Sequence, residues 1–383
     1  MTFLYQLAVL GAPTETQIRD LSQCIATALE KFNLRLGHEV AWDVLPASFK
    51  PHQLQPSAAV FFGGDTLDIA NLEELLERGV PVLPVVSDLN KPQAELPEIL
   101  QPLNCLNYAE GGAQRIANAL LECVGLLPYQ RRVFISHHHG EASAAALQLY
   151  EAFSARQFDV FLDTHGNEID EDVKALSWHK LYDTDVLLML DTPSYFDDRW
   201  TNAEFGRVLA KGISILRVSW PEVTPSRRSA TAWLTDLKTE DIHADTGLLE
   251  EGALEGVCLK LEEIRSQNHA IRSVNIISNL RIAIQAIGGK MLGVSTNRAM
   301  HMQLPAGQFL TVYPTFGVPT PVLLDEALNH TSSPEQSVAV IYDPIGMCQK
   351  GLHYLDWLNT HAQPDSWIKI TEASQQFEHW GNH

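Results

Sequence analysis

The sequence predicts an α/β chain of three successive units, and three observations lead there. From residue 7 to residue 128 short apolar runs alternate with amphipathic stretches. Strands alternating with helices in this way call for a parallel sheet covered on both faces. A polar break at Tyr129-Gln130-Arg131-Arg132 interrupts the rhythm, which then restarts. Finally, NLEELLERGVPVLPVV in the first unit lies beside NAEFGRVLAKGISILRV in the second, each with a polar helix start, an apolar face, a closing glycine and a buried strand. The first two units are therefore expected to share a flavodoxin-like fold. The expected boundaries are 1–128, 129–266 and 267–383.

In order along the chain, LAVLG (7–11) reads as a buried strand and Thr14 to Phe32 as a helix with Ile18, Leu21, Ile25 and Leu29 on one face. EVAWDVLP and AAVFFGG follow as strands, IANLEELLERG as a helix stopped by glycine, and VPVLPVV as a strand. The second unit opens on the strand RVFISHHH, whose end carries a polar cluster, and continues with a helix from Glu141 to Arg156 and the strand FDVFLD. A polar loop from Thr164 to Asp172 leads to a helix from Val173 to Tyr182, the strand DVLLMLD and a helix from about Thr201 to Lys211. Gly212 closes that helix, ISILRVSW is the next strand, and Leu248 to Arg265 completes the unit as a helix. In the third unit QFLTVYP, SVAVIYDP and SWIKI read as strands, PVLLDEALN and KGLHYLDWLNTH as helices.

Composition narrows the function classes. With 47 acidic and 27 basic residues the net charge is −20, and no Lys/Arg stripe could neutralise several phosphates together, so a direct nucleic-acid partner is not expected. No apolar run is long enough for a membrane span, and the start MTFLYQLAVLGAPTET lacks the basic and small-residue features of a signal peptide. Five scattered cysteines without a CxxC pair suit reduced thiols, and the expected location is the cytoplasm. His137, His138 and His139 alternate sides on an extended segment and lack a Cys or carboxylate at ligand spacing, so no metal is expected there. AIGGKMLGVST (286–296) lacks the spacing of a phosphate loop.

Across about ninety residues, from Arg131 to Pro221, the order VFISH, FDVFLD, DVLLMLDTPSYFDDRWTNAEF, ISILRV resembles the TIR family. Ser136 and His137 match the polar end of its first strand, Ser194 and Tyr195 its fourth-strand pair, and Trp200 to Glu204 its Trp-x-x-x-Glu spacing. The resemblance implies a flavodoxin-like parallel-sheet TIR domain flanked by two further α/β domains, the first of them a degenerate relative. It also implies an NAD+ hydrolase in which Glu204 is catalytic and Ser136, His137, Ser194, Tyr195 and Trp200 bind substrate. NAD+ is then substrate, with no separate cofactor.

Chemistry agrees with a single carboxylate. Breaking the nicotinamide–ribose bond builds positive charge on the ribose, which a carboxylate stabilises, and nicotinamide leaves as a neutral ring without a strong general acid. Trp200 stands one helical turn before Glu204 and could pack on a nicotinamide or adenine ring. Without the family pattern, a glutamate in a helical first turn is ordinarily a solvent-facing residue that complements the helix dipole. The resemblance further implies self-association through the TIR domain, a role in prokaryotic antiviral defence and a trigger bound by residues 267–383. A non-catalytic TIR scaffold and an enzyme making a cyclic ADP-ribose signal are the alternatives. The acidic loop DTHGNEIDED, with Gly166 early, departs from the family's usual assembly loop.

Overall fold

The computed structural model describes residues 3–64, 69–109, 111–127, 130–162, 180–197, 199–224, 226–329, 337–345, 347, 349–361 and 366–381, with backbone alone at 69, 70, 199, 200, 203, 204, 210 and 381. β1 (Tyr5–Gly11) is followed by a helix that begins for a chemical reason. The Thr14 hydroxyl accepts from the Gln17 amide (3.2 Å), and the Gln17 side chain accepts from the Thr14 amide (2.7 Å). This reciprocal cap satisfies two amides that a helix start would leave unpaired. α1 (Glu15–Glu30) then buries Leu21, Ile25 and Leu29 along one stripe. β2 (Val40–Val44), β3 (Ser57–Phe62), α2 (Ile69–Glu77) and β4 (Val82–Val86) follow as the periodicity predicts. Two further elements, β5 (Leu106–Asn107) and α3 (Gly112–Cys123), complete this part of the chain. All strand pairs here are parallel and the order is β2-β1-β3-β4-β5, the flavodoxin-like order.

The second sheet repeats that plan. β6 (Arg132–His137), α4 (Ser143–Ala155), β7 (Asp159–Leu162), β8 (Val186–Asp191), α5 (Arg199–Lys211), β9 (Ser214–Ser219) and β10 (Trp233–Asp236) give the parallel order β10-β9-β8-β6-β7. Numbered from its own first strand, this sheet has the same order as the first. The loop expected from Thr164 to Asp172 and most of the helix expected from Val173 to Tyr182 lie outside the described residues, apart from helical Lys180 to Tyr182.

The helix expected to stop near Arg265 runs on as α6 (Glu251–Ala286). No glycine or proline interrupts it between Val257 and Ala286, so nothing in the backbone stops it at the expected place. Val257, Leu261 and Ile264 enter the core of the second sheet, whereas Ile277, Leu280 and Ile284 enter that of the third. The third sheet comprises β11 (Lys290–Val294), β12 (Met300–Gln303), β13 (Phe309–Pro314), β14 (Ser337–Tyr342) and β15 (Trp367–Lys369). Its first two pairings are antiparallel and its last two parallel, and α7 (Pro321–Asn329), α8 (Gln349–His361) and α9 (Ala373–Gly381) accompany it. The chain divides into two units. One is Met1–Leu127 with His269–Pro344 and Gln349–His383; the other is Pro128–Asn268 with Ile345–Cys348. Among the described residues no helix is long and apolar enough to cross a membrane.

Matching helix ends underline the likeness of the first two sheets. Gly79 (φ +70°) and Gly212 (φ +69°) each follow a helix in the left-handed region that glycine adopts without steric cost. Gly79 donates to Leu76 O and Val80 to Leu75 O; Gly212 donates to Leu209 O and Ile213 to Val208 O. Both are Schellman closures in the same register, with an apolar contact partner on each side.

Arg131 and Arg132 of the polar break have a different fate from a surface linker. Arg131 is fully buried, its guanidinium 2.8 Å from Glu262 on α6 and 4.2 Å from the centre of the Phe158 ring. Arg265, also buried, lies 3.3 Å from Glu262 and 3.5 Å from Asp185, while Arg132 reaches Asp183 (2.6 Å) and Asp185 (3.5 Å). Glu262→Ala would leave two buried guanidiniums without their shared carboxylate. Loss of one partner of a buried pair costs about 3–5 kcal/mol. Denaturant unfolding of Glu262→Ala should show a transition of the second unit weakened by that amount; an unchanged transition would mean the network contributes nothing.

Candidate functional site

In an open parallel sheet a ligand sits beyond the carboxyl ends of the strands, where the strand order reverses. In the second sheet that point lies between β6 and β8, so the ends of these two strands define the rim. Ser136 and His137 end β6 and Asp191 ends β8. The Ser136 hydroxyl meets the Tyr195 hydroxyl at 2.8 Å with both residues buried, which ties the end of β6 to the turn Tyr195–Asp197. The first turn of α5 is fastened to the same place. Thr201 donates its hydroxyl to Tyr195 O, and the Asn202 amide donates to Phe196 O. Trp200 and Glu204 belong to α5, but their side chains lie outside the described residues.

Ser194 is held by a group that sequence reasoning placed only as the first residue of a helix. Its amide (3.1 Å) and hydroxyl (2.7 Å) both donate to the Glu141 carboxylate. Partial burial raises the Glu141 pKa, but its interactions with Thr192 and Ser194 and the nearby His138 outweigh it and hold the carboxyl below its ordinary value. A negative charge therefore stays at this loop at neutral pH. Behind it, Arg217 on β9 donates to Asp191 (2.5 Å) and reaches the Ser219 hydroxyl (3.3 Å), with all three buried. Burial pushes the Asp191 carboxyl up, and the Arg217 hydrogen bond offsets only part of that. The visible signal for this pair was an arginine inside the apolar strand ISILRVSW, since a buried charge requires a partner.

The histidine run is partly sequestered. His137 is buried, its ring 4.7 Å from that of His139 and nearly edge-on. Burial, and then the neighbouring His139 and His138, lower its pKa to about 4. Among the described residues no three His, Cys, Asp or Glu gather in a way that could hold a metal ion. Of the sequence-predicted residues, the structure thus brings Ser136, His137, Ser194 and Tyr195 to one rim. It makes Ser136 and Tyr195 partners of each other within the protein.

Residues 133–249 match the sequence model of the TIR domain family, so the middle of the chain carries a TIR domain. This match runs beyond Pro221 through β10 to Leu249. A search of curated proteins gives no match. Among solved structures, the chain is similar to a crystal structure described as a two-component system response regulator/GGDEF domain protein, at 14% identity. That likeness covers 71% of this chain and 99% of the other with a TM-score of 0.25, too low to carry an argument.

His137 offers a direct check on the rim. In the unfolded chain its imidazole protonates near 6.5, in the folded chain only near about 4. Across that window the unfolded state holds more protons, so the contribution to stability is complete above it and is lost as pH falls through it. An NMR titration of the His137 ring should show it neutral down to about pH 4. A midpoint near 6.5 would mean the ring is solvated rather than enclosed.

Proposed function

Because the middle of the chain carries a TIR domain, we propose that the protein is an NAD+ hydrolase that cleaves the nicotinamide–ribose bond with Glu204. The observation that carries this reading is the start of α5. It is anchored at the rim by Thr201 and Asn202, and it bears the Trp200-x-x-x-Glu204 spacing that the TIR resemblance assigns to catalysis.

In the reaction, the bond between the ribose C1′ and the nicotinamide nitrogen breaks. Its electron pair leaves with the ring, which departs neutral. Positive charge develops at C1′ and its ring oxygen, where the Glu204 carboxylate stabilises it and holds the ribose hydroxyls. Water then adds at C1′ and releases a proton, giving ADP-ribose; capture by a group of the substrate itself would give a cyclic product instead. The charged Glu141 nearby adds favourable field, and the buried Asp191–Arg217 and Ser136–Tyr195 pairs keep the rim in one shape. Ser194 and Trp200 would contact the substrate.

The first sheet is not expected to share the chemistry. Aligning Gly79 on Gly212 puts Asn71 at the position of Glu204. Asn71 is a buried tie: its carbonyl accepts from the Phe49 amide (3.1 Å), and its amide donates to Ser48 Oγ and Phe49 O, each at 3.2 Å. A regulatory role for this domain, self-association through the TIR domain, a trigger sensed by residues 267–383 and a place in prokaryotic antiviral defence complete the proposal.

Glu204→Gln keeps the size of the side chain and removes its charge. In the full chain it should fold normally and release nicotinamide at least about 10²-fold more slowly than wild type, since electrostatic stabilisation is the largest catalytic term invoked. Wild-type turnover in the folded variant would reject Glu204. If wild-type protein assembles yet releases no nicotinamide, the scaffold reading replaces the enzyme; mass analysis of the product separates hydrolysis from cyclisation.

A further inference from the structure

A second candidate site belongs to the unit formed by the first and third sheets. There a cavity of about 350 Å³ opens between the segment Pro51–Ser57, the end of α2, α6 from His269 onward, and the third sheet. This size falls within the ~300–1,000 Å³ of typical small-ligand sites. One part of its wall is apolar, from Val80, Val274, Ile277, Val294 and Met300. Another part carries Arg78, Arg281 and Arg298 with His52 and His269, against a single carboxylate, Glu77. In a chain with 47 acidic and 27 basic residues, the balance inside this cavity is reversed.

The arginines are placed rather than merely present. Arg298 is buried, donates to Glu122 O (3.1 and 3.3 Å) and sits 4.8 Å from the centre of the Phe316 ring. Arg272 approaches the same ring at 5.4 Å and His269 at 5.1 Å, so three cation-forming groups gather on one aromatic. Asn297 (φ +57°) and Arg298 (φ +54°) are both left-handed without being glycine. Left-handed backbone at such residues carries a steric cost, and strain of this kind concentrates at ligand sites. Arg281 is only loosely engaged: among the described residues its polar partner is the Met291 sulfur at 3.7 Å. Arg78 holds Pro51 O at 2.7 Å and lies 3.7 Å from Glu74.

We propose that this cavity binds a nucleoside phosphate, with phosphate oxygens on Arg78, Arg281 and Arg298 and the base and sugar against the apolar wall. Arginine's planar fork suits phosphate, and the apolar surface has no use for a bare inorganic anion. An acidic protein surface would otherwise repel such a ligand, so the basic lining serves a bound anion better than it serves the fold.

The test titrates the full chain with AMP, ADP and ATP by calorimetry, with adenosine and inorganic phosphate as separate probes. At least one nucleotide should bind saturably and more tightly than either fragment. Arg281→Gln should weaken that binding about ten- to a hundred-fold, as expected for loss of one charge-assisted contact, while leaving the melting temperature of the free protein unchanged. Arg78→Gln should act in the same direction, and Trp200→Ala, at the TIR rim, should leave this binding intact. The proposal is overturned if no nucleotide binds at millimolar concentration, if both arginine variants bind like wild type, or if Trp200→Ala abolishes the binding.

Discussion

Arg131, Arg132 and Arg265 face Asp183, Asp185 and Glu262 at the amino-terminal ends of β6 and β8, three guanidiniums against three carboxylates. Much of the second unit depends on this balance. Unpaired ions cannot stay in an apolar interior, since the desolvation penalty for each is several kcal/mol. The network is therefore tolerated only when β6, the turn before β8 and α6 are all in place together. Further bonds extend it: the Arg132 amide donates to Asp185 (3.1 Å), Arg265 to Gln130 O (3.2 Å) and Asn268 to Asp185 O (3.2 Å). Such a set specifies one arrangement of helix on sheet, whereas apolar contacts alone would accept several.

The ion network is thus concentrated at one end of the sheet and the candidate site at the other. The carboxyl ends of β6 and β8 carry smaller polar pairs, Ser136 with Tyr195, Ser194 with Glu141 and Asp191 with Arg217, each satisfied within the protein. These pairs hold loops that no sheet ladder would hold. They also leave α5 starting beside the switch point of the sheet, fastened there by Thr201 and Asn202. In the proposed reaction a carboxylate on that helix would act together with the field of Glu141, since the nicotinamide of NAD+ leaves as a neutral ring.

Legibility from the sequence followed burial. Strands such as SAAVFF and VLLMLD are enclosed on both faces, so their apolar runs declare them, and the closing glycines marked helix ends correctly. β5 is too short to show a period, and β11 is broken by a register shift between Met291 and Gly293, which hides its pairing with MHMQ. α6 changes which core it serves along its length, so no single apolar face extends through it and its second half went unseen. Arg131 and Arg132 looked like a linker because charge is ordinarily exposed; the distant Glu262, Asp183 and Asp185 draw them inward. At the site, the family pattern led to Ser136, His137, Ser194 and Tyr195 together. Glu141 and Arg217 escaped it because their roles depend on partners 53 and 26 residues away.

The central claim is that the rim between β6 and β8 receives the nicotinamide end of NAD+. A structure of the full chain with a non-cleavable NAD+ analogue tests it most directly. The account predicts the nicotinamide riboside at the rim formed by Ser136, Ser194 and α5, with the Glu204 carboxylate within hydrogen-bonding distance of the ribose. An analogue held only elsewhere, with the rim empty or Glu204 turned to solvent, would contradict it.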